Sequence, residues 1–320
     1  ARAMCREMSA GLGGWRGDPA VQVVVIDHAG GRGFCAGGDI NLLRHSALTD
    51  GGVAGRAFFF DEYRLNHQLF TYPKPVVALM DGITMGGGVG ISQPARFRVA
   101  TQNTRFAMPE SGIGLFPDVG GGWYLSRLRG RLGPYLALTG ARIDGAECLW
   151  AGLATHYLPA EALPDAVARL AAGEDPAAVL CALAAVPPAP AIAEQAGQIA
   201  RHFAADRLED IIASLGGDGG DWAQATLAVL HAKSPQTCKV ALRQLATSLG
   251  LPDFAANMAM EYRIASRVLL LPDFAEGVRA VIVDKDNRPQ WNPARPEDVT
   301  EAALDAIFAP LPPEEEWQPL

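Results

Sequence analysis

The chain has 320 residues, 49% of them hydrophobic and 19% charged, which excludes a disordered protein and indicates a sizeable buried core. The formal net charge of −8 argues against nucleic acid as a partner, because a phosphate backbone is bound by a basic surface. The 35 glycines occur in clusters without a regular period, which excludes collagen.

Strands and helices alternate in the first part of the chain. The predicted elements are, in order, a helix over 2–16, a strand over Val21–Asp27, a helix over 56–71 and short strands over Val76–Met80, Phe97–Ala100 and Phe106–Met108. The first strand is a nearly pure β-branched run, which is typical of a strand buried on both faces. Glycine-rich loops follow two of the strands, and Asp39, at the end of the first loop, could cap the next helix. This alternation predicts an α/β core with ligand-binding loops at the carboxyl ends of its strands.

After residue 120 the pattern becomes mostly helical. Three short helices are predicted to end at Gly130, Gly140 and Gly152, followed by a last short strand in LATHYL. From about residue 160 the chain is helical, with a polar break at 215–221, and the proline-rich segment from Pro289 is expected to wrap over a surface. We therefore predict an α/β core over residues 1–160, then a helical region with a C-terminal extension over 161–320.

The cysteines and histidines indicate neither a disulfide framework nor a metal site. Five cysteines are scattered without a CxxC pair, and six histidines show no paired spacing, so no metal is expected. The longest uncharged stretch, 176–193, contains prolines that make a membrane helix unfavourable. No membrane association is expected, and the reduced cysteines favour a cytoplasmic location. Any targeting segment before Ala1 would not be visible.

Three glycine-rich loops are the candidate ligand sites: 35–39, 85–90 and 108–122. Adjacent glycines let a ligand approach backbone N–H groups closely. A nucleotide site is disfavoured, because no GK[ST] follows the glycines and the GxGxxG spacing is absent. Two N–H groups from separate loops could instead form an oxyanion hole. Tight turns and close packing of helix on strand are the structural alternative.

Two acids, Glu110 and Asp118, lie between apolar residues in the third loop. Burial of a carboxyl group raises its pKa and makes it a usable acid or base near neutral pH. The alternative is that Asp118 caps a helix over 120–127 and Glu110 is a turn residue. A serine nucleophile is not indicated because no GxSxG occurs, and Cys35 is more simply a small buried residue.

The motifs CAGGD, DGITMGGGVG and MPESGIGLFPDVGG, in this order, resemble the enoyl-CoA hydratase/isomerase (crotonase) superfamily. Within it, ITMGGGVG and GLFPDVGGG resemble the 3-hydroxyisobutyryl-CoA hydrolase branch, and similar motifs at 136–145, 151–159 and 274–293 extend the match over nearly the whole chain. The resemblance implies a crotonase-like spiral of ββα units with a C-terminal helical region. The family begins with strands before its first long helix, so we expect those strands, and part of the acyl-CoA cleft, to be missing here.

The resemblance also implies roles for particular residues. The N–H groups of Gly38 and Gly87 would form the oxyanion hole. Glu110 matches the catalytic glutamate of the family, and Asp118 matches the aspartate that distinguishes the hydrolases, where it handles the substrate hydroxyl or assists acyl transfer. Hydratases carry a second glutamate at the position of Gly90, so its absence here favours hydrolysis over water addition.

Further residues are expected to contact the substrate. Glu62 matches a substrate-contacting acid, and Ala36 and Asp39 lie in the same loop as the first oxyanion donor, Gly38. Basic side chains should hold the coenzyme A phosphates, with Lys74 and the pair Lys285 and Arg288 as candidates beside the alternative of ordinary solvated charges.

The resemblance implies hydrolysis of a short-chain acyl-CoA thioester, 3-hydroxyisobutyryl-CoA, to 3-hydroxyisobutyrate and coenzyme A in valine catabolism. No cofactor is expected, because coenzyme A is part of the substrate. One alternative is an enoyl-CoA hydratase that uses Glu110 and Asp118 as its acids. Another is a non-catalytic acyl-CoA-binding protein. A homo-oligomer, as a trimer, hexamer or dimer, is also expected from the family.

Overall fold

The computed structural model of the protein describes residues 2–31 and 33–320. Ala1, where the first predicted domain begins, and Arg32, in the loop after the first strand, lie outside the described residues. Sixteen α-helices and seven strands are described in this part of the chain. None of these helices is long and apolar enough to cross a bilayer.

Two small sheets form the centre of the α/β part. The larger has the parallel order β1-β2-β4-β7, and the smaller has the order β3-β5-β6, in which β3 and β5 are parallel and β5 and β6 antiparallel. The strands are β1 Val24–Ile26, β2 Val76–Met80, β3 Ile83–Met85, β4 Phe97–Ala100, β5 Arg105–Ala107, β6 Ile143–Asp144 and β7 His156–Tyr157. Each pair β2–β3 and β4–β5 contributes one strand to each sheet, so the chain winds as the predicted spiral.

The helices lie on both sides of the larger sheet and extend over the C-terminal half. They are α1 Arg2–Arg16, α2 Ile40–Thr49, α3 Val53–Phe70, α4 Gly87–Ser92, α5 Gly121–Ser126, α6 Leu132–Thr139, α7 Gly145–Ala151, α8 Leu163–Ala171, α9 Pro176–Leu183, α10 Ala191–His202, α11 Leu208–Gly216, α12 Asp221–His231, α13 Pro235–Leu249, α14 Phe254–Val268, α15 Pro272–Val278 and α16 Glu301–Phe308. A π-helical turn, Arg279–Val283, continues α15.

Strand β2 shows why a purely apolar run is required at the centre. Its residues are all buried, and successive side chains point to opposite faces. Ala78 and Met80 belong to the main core, whereas Val77 and Leu79 pack with α8 and α9 in a second cluster. Both faces of the sheet are therefore covered, as is usual for parallel sheets.

Most predicted elements are confirmed, with two corrections. Strands β2 and β4 match residue for residue, but β1 is shorter than expected and covers only Val24–Ile26. The helix expected to end at Gly130 ends at Ser126 instead. A Cβ on Gly133 would lie 2.0 Å from the carbonyl oxygen of Leu125, so the chain must turn back before Gly130 to let α6 pack this closely on α5.

The C-terminal helices pack directly on the α/β part, with α13 and α14 against α5 and α3. One hydrophobic core runs from Cys5 to Trp317 and crosses residue 160 without a break. The division at residue 160 therefore stays a prediction. The apolar segment 264–271 contributes Ile264 and Val268 to this core. The last segment lies against α3, where the Trp317 indole Nε1 donates to the carbonyl of Phe60 at 3.3 Å.

Candidate active site

A cavity of about 470 Å³ opens where the three glycine-rich loops meet. Its lining includes six of the residues singled out from the sequence, which are Ala36, Gly38, Glu62, Gly87, Glu110 and Asp118. It also includes residues from the C-terminal half, among them Lys233, Val281, Ile282, Asn287 and Pro289. The α/β part and the helical part therefore both contribute to one site.

Backbone pairing joins the first two loops. Cys35 N–H donates to the Ile83 carbonyl and Met85 N–H donates to the Cys35 carbonyl, each at 2.9 Å, so the first loop pairs with β3. Gly88 makes this approach possible, because a Cβ there would lie 2.2 Å from the Cys35 carbonyl oxygen. The glycines at this junction are required by the close contact of two backbones.

The two predicted oxyanion donors lie at this junction. The N–H groups of Gly38 and Gly87 donate to no other group among residues 2–31 and 33–320. Gly87 is the first residue of α4, so its N–H has no carbonyl partner within the helix. A Cβ on Gly37 would lie 3.4 Å from the Gly87 nitrogen, which places the two loops in direct contact beside the cavity. Two free N–H groups at one cavity can stabilise a developing negative oxygen.

Glu110 begins a short 3-10 turn, Glu110–Ile113, and is only 5% exposed. Its Oε2 is buried and has no hydrogen-bond partner, and its Oε1 lies 3.5 Å from the position that a Cβ on Gly86 would take. Burial, reinforced by the nearby Asp118, raises the pKa of Glu110 well above its usual range, while Lys233 opposes the shift. Glu110 is thus a buried carboxyl group in the cavity lining, and one of its oxygens accepts no hydrogen bond.

Asp118 is buried and accepts a hydrogen bond of 2.8 Å from the hydroxyl of Tyr63. Burial raises the pKa of Asp118 to about 7, and the Tyr63 hydroxyl partly offsets that rise. The side chain does not cap the following helix, because α5 has Gly120 at its N-cap with no side-chain cap. The capping alternative for Asp118 is therefore wrong.

Glu62, on α3, is the third buried acid at this cavity. Its Oε1 lies 2.8 Å from the position that a Cβ on Gly87 would take, so the carboxyl group is adjacent to a predicted oxyanion donor. Burial and the neighbouring Asp118 raise the pKa of Glu62 well above its usual range. A neutral Glu62 can stand beside a developing oxyanion without repelling it.

The two remaining predicted contacts, Ala36 and Asp39, both lie in the first loop but have different surroundings. Ala36 lines the cavity, whereas Asp39 does not. The Asp39 side chain instead accepts from Leu42 N–H at 3.1 Å and caps α2, which was the alternative expected from the sequence. A substrate contact by Asp39 stays a prediction without support from this geometry.

Position 90 has no room for a side chain. A Cβ on Gly90 would lie 2.6 Å from the Val119 Cβ and 2.8 Å from the Asn66 amide nitrogen, which donates to the Gly90 carbonyl at 2.9 Å. Val119 has a φ of 52°, a left-handed conformation that is uncommon for a β-branched residue. The side chain of Val119 therefore fills the space beside Gly90.

The basic residues differ from the expectation. Lys74 donates to the backbone carbonyls of Trp15 and Asp18 and lies outside the cavity lining. Lys285 and Arg288 do not line the cavity either, although Asn287, which lies between them in the sequence, does.

The sequence reasoning missed several residues at the site, among them Tyr63, Lys233 and Glu261. Glu261, on α14, accepts hydrogen bonds from the N–H groups of Gly120 and Gly122 beneath the third loop. Only Tyr63 carried a signal, as the neighbour of Glu62 in FDEY. In the part of the chain that the structure describes, no group of three or more His, Cys, Asp or Glu side chains is arranged to hold a metal ion.

The model of the enoyl-CoA hydratase/isomerase family matches residues 1–308. The chain belongs to this family. It is 44% identical over 324 residues to "3-hydroxyisobutyryl-CoA hydrolase, mitochondrial" of Xenopus tropicalis, covering 96% of this chain and 82% of the relative.

Two solved structures of the family share the fold. A carnitinyl-CoA dehydratase from Mycobacterium thermoresistibile has a TM-score of 0.93 at 40% identity, covering 98% of this chain and 90% of that one. An enoyl-CoA hydratase from Rhodobacter sphaeroides has a TM-score of 0.92 at 38% identity, covering 99% of this chain and 92% of that one. The predicted crotonase-like fold is confirmed. The expected cytoplasmic location is wrong, because the frog relative is named as a mitochondrial protein.

Proposed function

We propose that this protein hydrolyses a short-chain acyl-CoA thioester, 3-hydroxyisobutyryl-CoA, to 3-hydroxyisobutyrate and free coenzyme A. The observation that carries the proposal is that Glu110, whose buried Oε2 has no hydrogen-bond partner, lines the same cavity as Gly38 and Gly87, whose N–H groups donate to no other group in the described residues. That set suits attack on a carbonyl carbon with the oxygen held by two donors. The name of the frog relative supports the same reaction and substrate.

The first step is attack on the thioester carbonyl. Either the Glu110 carboxylate attacks directly, or it takes a proton from a water molecule that attacks. The carbonyl oxygen becomes negative and is stabilised by Gly38 and Gly87, each donor contributing about 3–4 kcal/mol to lowering the barrier. The C–S bond then breaks, and the coenzyme A thiolate takes a proton and leaves. If Glu110 attacked directly, a water molecule hydrolyses the acyl-enzyme and restores the carboxylate.

Asp118 is proposed to hold the 3-hydroxyl group of the substrate. Its Oδ2 is already bonded to Tyr63, so its other oxygen is available to accept from a substrate hydroxyl. Holding the hydroxyl fixes the acyl chain relative to Glu110, which favours reaction by orientation. Glu62 is proposed as a further substrate contact beside Gly87, with Ala36 at the edge of the same cleft. No cofactor or metal has a role in this mechanism.

A hydratase is the second candidate, because the solved relatives at 38–40% identity have hydratase or dehydratase titles. Water addition to a double bond is helped by two acids acting on opposite ends of the bond. Against it, the position of Gly90 is closed by Val119 and Asn66, which leaves no space for an acid there. Such an enzyme would have to use Glu110 and Asp118.

The test is a thiol-release assay with 3-hydroxyisobutyryl-CoA, run beside loss of the conjugated absorbance of crotonyl-CoA. We expect thiol release, slow crotonyl-CoA hydration, and a fall in kcat of about 10²–10⁴-fold for Glu110→Gln. Rapid hydration without thiol release would favour the hydratase, and tight ester binding without turnover would favour a non-catalytic protein. Thiol release by Glu110→Gln at the wild-type rate would contradict the role of Glu110.

Self-association is also proposed, as a trimer, hexamer or dimer. The apolar segment 264–271 gives it little support, since most of its side chains lie in the core of one chain. Light scattering on the protein as it elutes from a size-exclusion column measures the mass of the assembly directly. The monomer mass of 33.8 kDa would contradict self-association.

A further inference from the structure

Three buried side chains from the helical part converge on the third loop and lie outside the cavity lining. They are Gln244 on α13 and Asn257 and Glu261 on α14, each 0% exposed. We call this group the clamp. The proposed mechanism does not use it, although its three side chains are joined by buried hydrogen bonds beside the site.

The clamp binds the loop through its backbone. Glu261 Oε2 accepts from Gly120 N–H at 2.7 Å, and its Oε1 accepts from Gly122 N–H at 2.9 Å. Gln244 Nε2 donates to the Pro117 carbonyl at 2.7 Å, so the loop is bound on both sides of Asp118. Within the clamp, the amide nitrogens of Gln244 and Asn257 donate to Glu261 Oε1 at 3.0 and 2.9 Å.

The bound segment has an unfavourable backbone conformation. Val119 has a φ of 52° and Gly120 a φ of 92°. A β-branched residue in the left-handed region costs about 1–3 kcal/mol and persists only where its surroundings impose it. The hydrogen bonds that Glu261 accepts from the N–H groups of Gly120 and Gly122 are such a constraint. All four hydrogen-bond partners of this carboxyl group are donors, and such bonds favour its ionised form. Burial acts in the opposite direction and raises the pKa of Glu261 to about 8.

We propose that Glu261, supported by Gln244 and Asn257, is a positioning residue for Asp118. By fixing the backbone from Pro117 to Gly122, it directs the Asp118 carboxyl to Tyr63 and the cavity and turns the Val119 side chain onto Gly90. The inference rests on the proposed function, since it assigns to Glu261 the orientation of a group that holds the substrate hydroxyl. Glu261 acts through the loop and does not touch the substrate.

The test compares two esters, 3-hydroxyisobutyryl-CoA and isobutyryl-CoA, which differ by the hydroxyl group that Asp118 is proposed to hold. The ratio of their kcat/KM values does not depend on the fraction of folded enzyme, so a merely structural defect leaves it unchanged. We expect wild type to prefer the hydroxy ester and Glu261→Gln to lose about 10-fold of that preference, towards the ratio of Asp118→Asn. Its kcat should fall by about 10–100-fold, as expected for a displaced orienting group.

The matched control is Glu209→Gln. Glu209 is a part-buried acid of the helical half that accepts from Lys239 at 2.8 Å, away from the cavity. Its ester ratio should equal that of wild type. Gln244→Leu removes the hydrogen bonds to the Pro117 carbonyl and to Glu261 Oε1 but leaves Glu261 bonded to Gly120 and Gly122. It should shift the ratio in the same direction by less, and it replaces Glu261→Gln should that variant not fold. An unchanged ratio in the folded clamp variants would overturn the proposal.

A crystal structure of Glu261→Gln gives an answer that does not need turnover. We expect Val119 to leave the left-handed region and the Tyr63–Asp118 hydrogen bond to lengthen or break. Retention of both would overturn the positioning role even if activity fell. If wild type hydrolysed neither ester, the proposed function would fail, while this structural comparison would still decide whether Glu261 positions Asp118.

Discussion

The loops of this site are held in two different ways. The first and second loops are fixed by backbone hydrogen bonds and glycine contacts within the α/β part, such as Cys35 with Met85. The third loop is fixed by side chains that come from α13 and α14, more than a hundred residues later. The predicted oxyanion donors therefore depend on local chain geometry. In our proposal, the orientation of Asp118 depends on the packing of the helical half.

The largest effect is expected from Gly88→Ala, which breaks the first kind of support. The new Cβ would lie 2.2 Å from a backbone oxygen of Cys35, which cannot move without separating the two loops. We expect kcat/KM to fall by about 100-fold or more, because both oxyanion donors are displaced, and stability to fall by about 1–3 kcal/mol. Thiol release and urea denaturation measure the two losses.

The control for this glycine is Gly197→Ala, in the middle of α10. A Cβ there has no heavy atom within 4 Å, so the change adds helix propensity alone. Stability should rise by about 0.5–1 kcal/mol at unchanged activity. A similar rise for Gly88→Ala would show that the two loops do not need their close contact.

The next effect concerns the acid that the clamp orients. The folded-state pKa of Asp118 is raised to about 7, above its ordinary value of 3.8, so the folded protein holds this proton more tightly than the unfolded chain. Stability should therefore decline as pH rises from about 4 through 7, by up to a few kcal/mol. Asp118→Asn removes that decline. Urea denaturation of both proteins at pH 5 and pH 8 checks the difference, and parallel curves would contradict the raised pKa.

A smaller effect is expected from Gly122→Ala, which challenges the second kind of support. The added Cβ would meet only side-chain atoms of the clamp, with Gln244 Nε2 at 2.9 Å and Glu261 Oε1 at 3.0 Å. Side chains can shift by a few tenths of an ångström, so we expect a loss in kcat of about 10-fold and of about 1 kcal/mol in stability. A loss as large as that of Gly88→Ala would remove the distinction between the two supports.

The smallest effect should come from Asp39→Ala in the first loop. Loss of the cap on α2 costs about 1 kcal/mol, measurable as a lower midpoint of thermal unfolding. The effect on KM should be slight, because the side chain lies outside the cavity. A 10-fold rise in KM for the acyl-CoA ester would instead make Asp39 a substrate contact, as the resemblance implied.

Features carried by short stretches of sequence were predictable. Strand β2 is an apolar run and β4 is apolar except for Arg98, and the structure matches both predictions residue for residue. The glycine loops and Glu110 could be singled out because each is recognisable from a few adjacent residues. The roles of Asp118 remained divided between a cap and an active-site acid, since both choices place an aspartate before a helix.

Features that depend on distant packing were not predictable. Glu261 lies 141 residues beyond Gly120, and in the sequence it is one charged position in an amphipathic helix. The end of α5 at Ser126 depends on how closely α6 approaches, which the sequence from 123 to 130 does not contain. Lys74 was a candidate for a phosphate contact, but its ammonium group donates to the carbonyl of Trp15 in the last turn of α1 and to that of Asp18 just after it.

The three buried carboxyl groups at one cavity have a consequence for the heat of substrate binding. Glu62, Glu110 and Asp118 each have a raised pKa, that of Asp118 to about 7, so carboxyl protonation at this site changes near neutral pH. A ligand that covers these groups changes their contact with water and with charge, so their pKa values change and binding exchanges protons with the solution. The enthalpy measured by calorimetry should therefore vary with the ionisation enthalpy of the buffer, which makes the buffer itself a reporter of these acids.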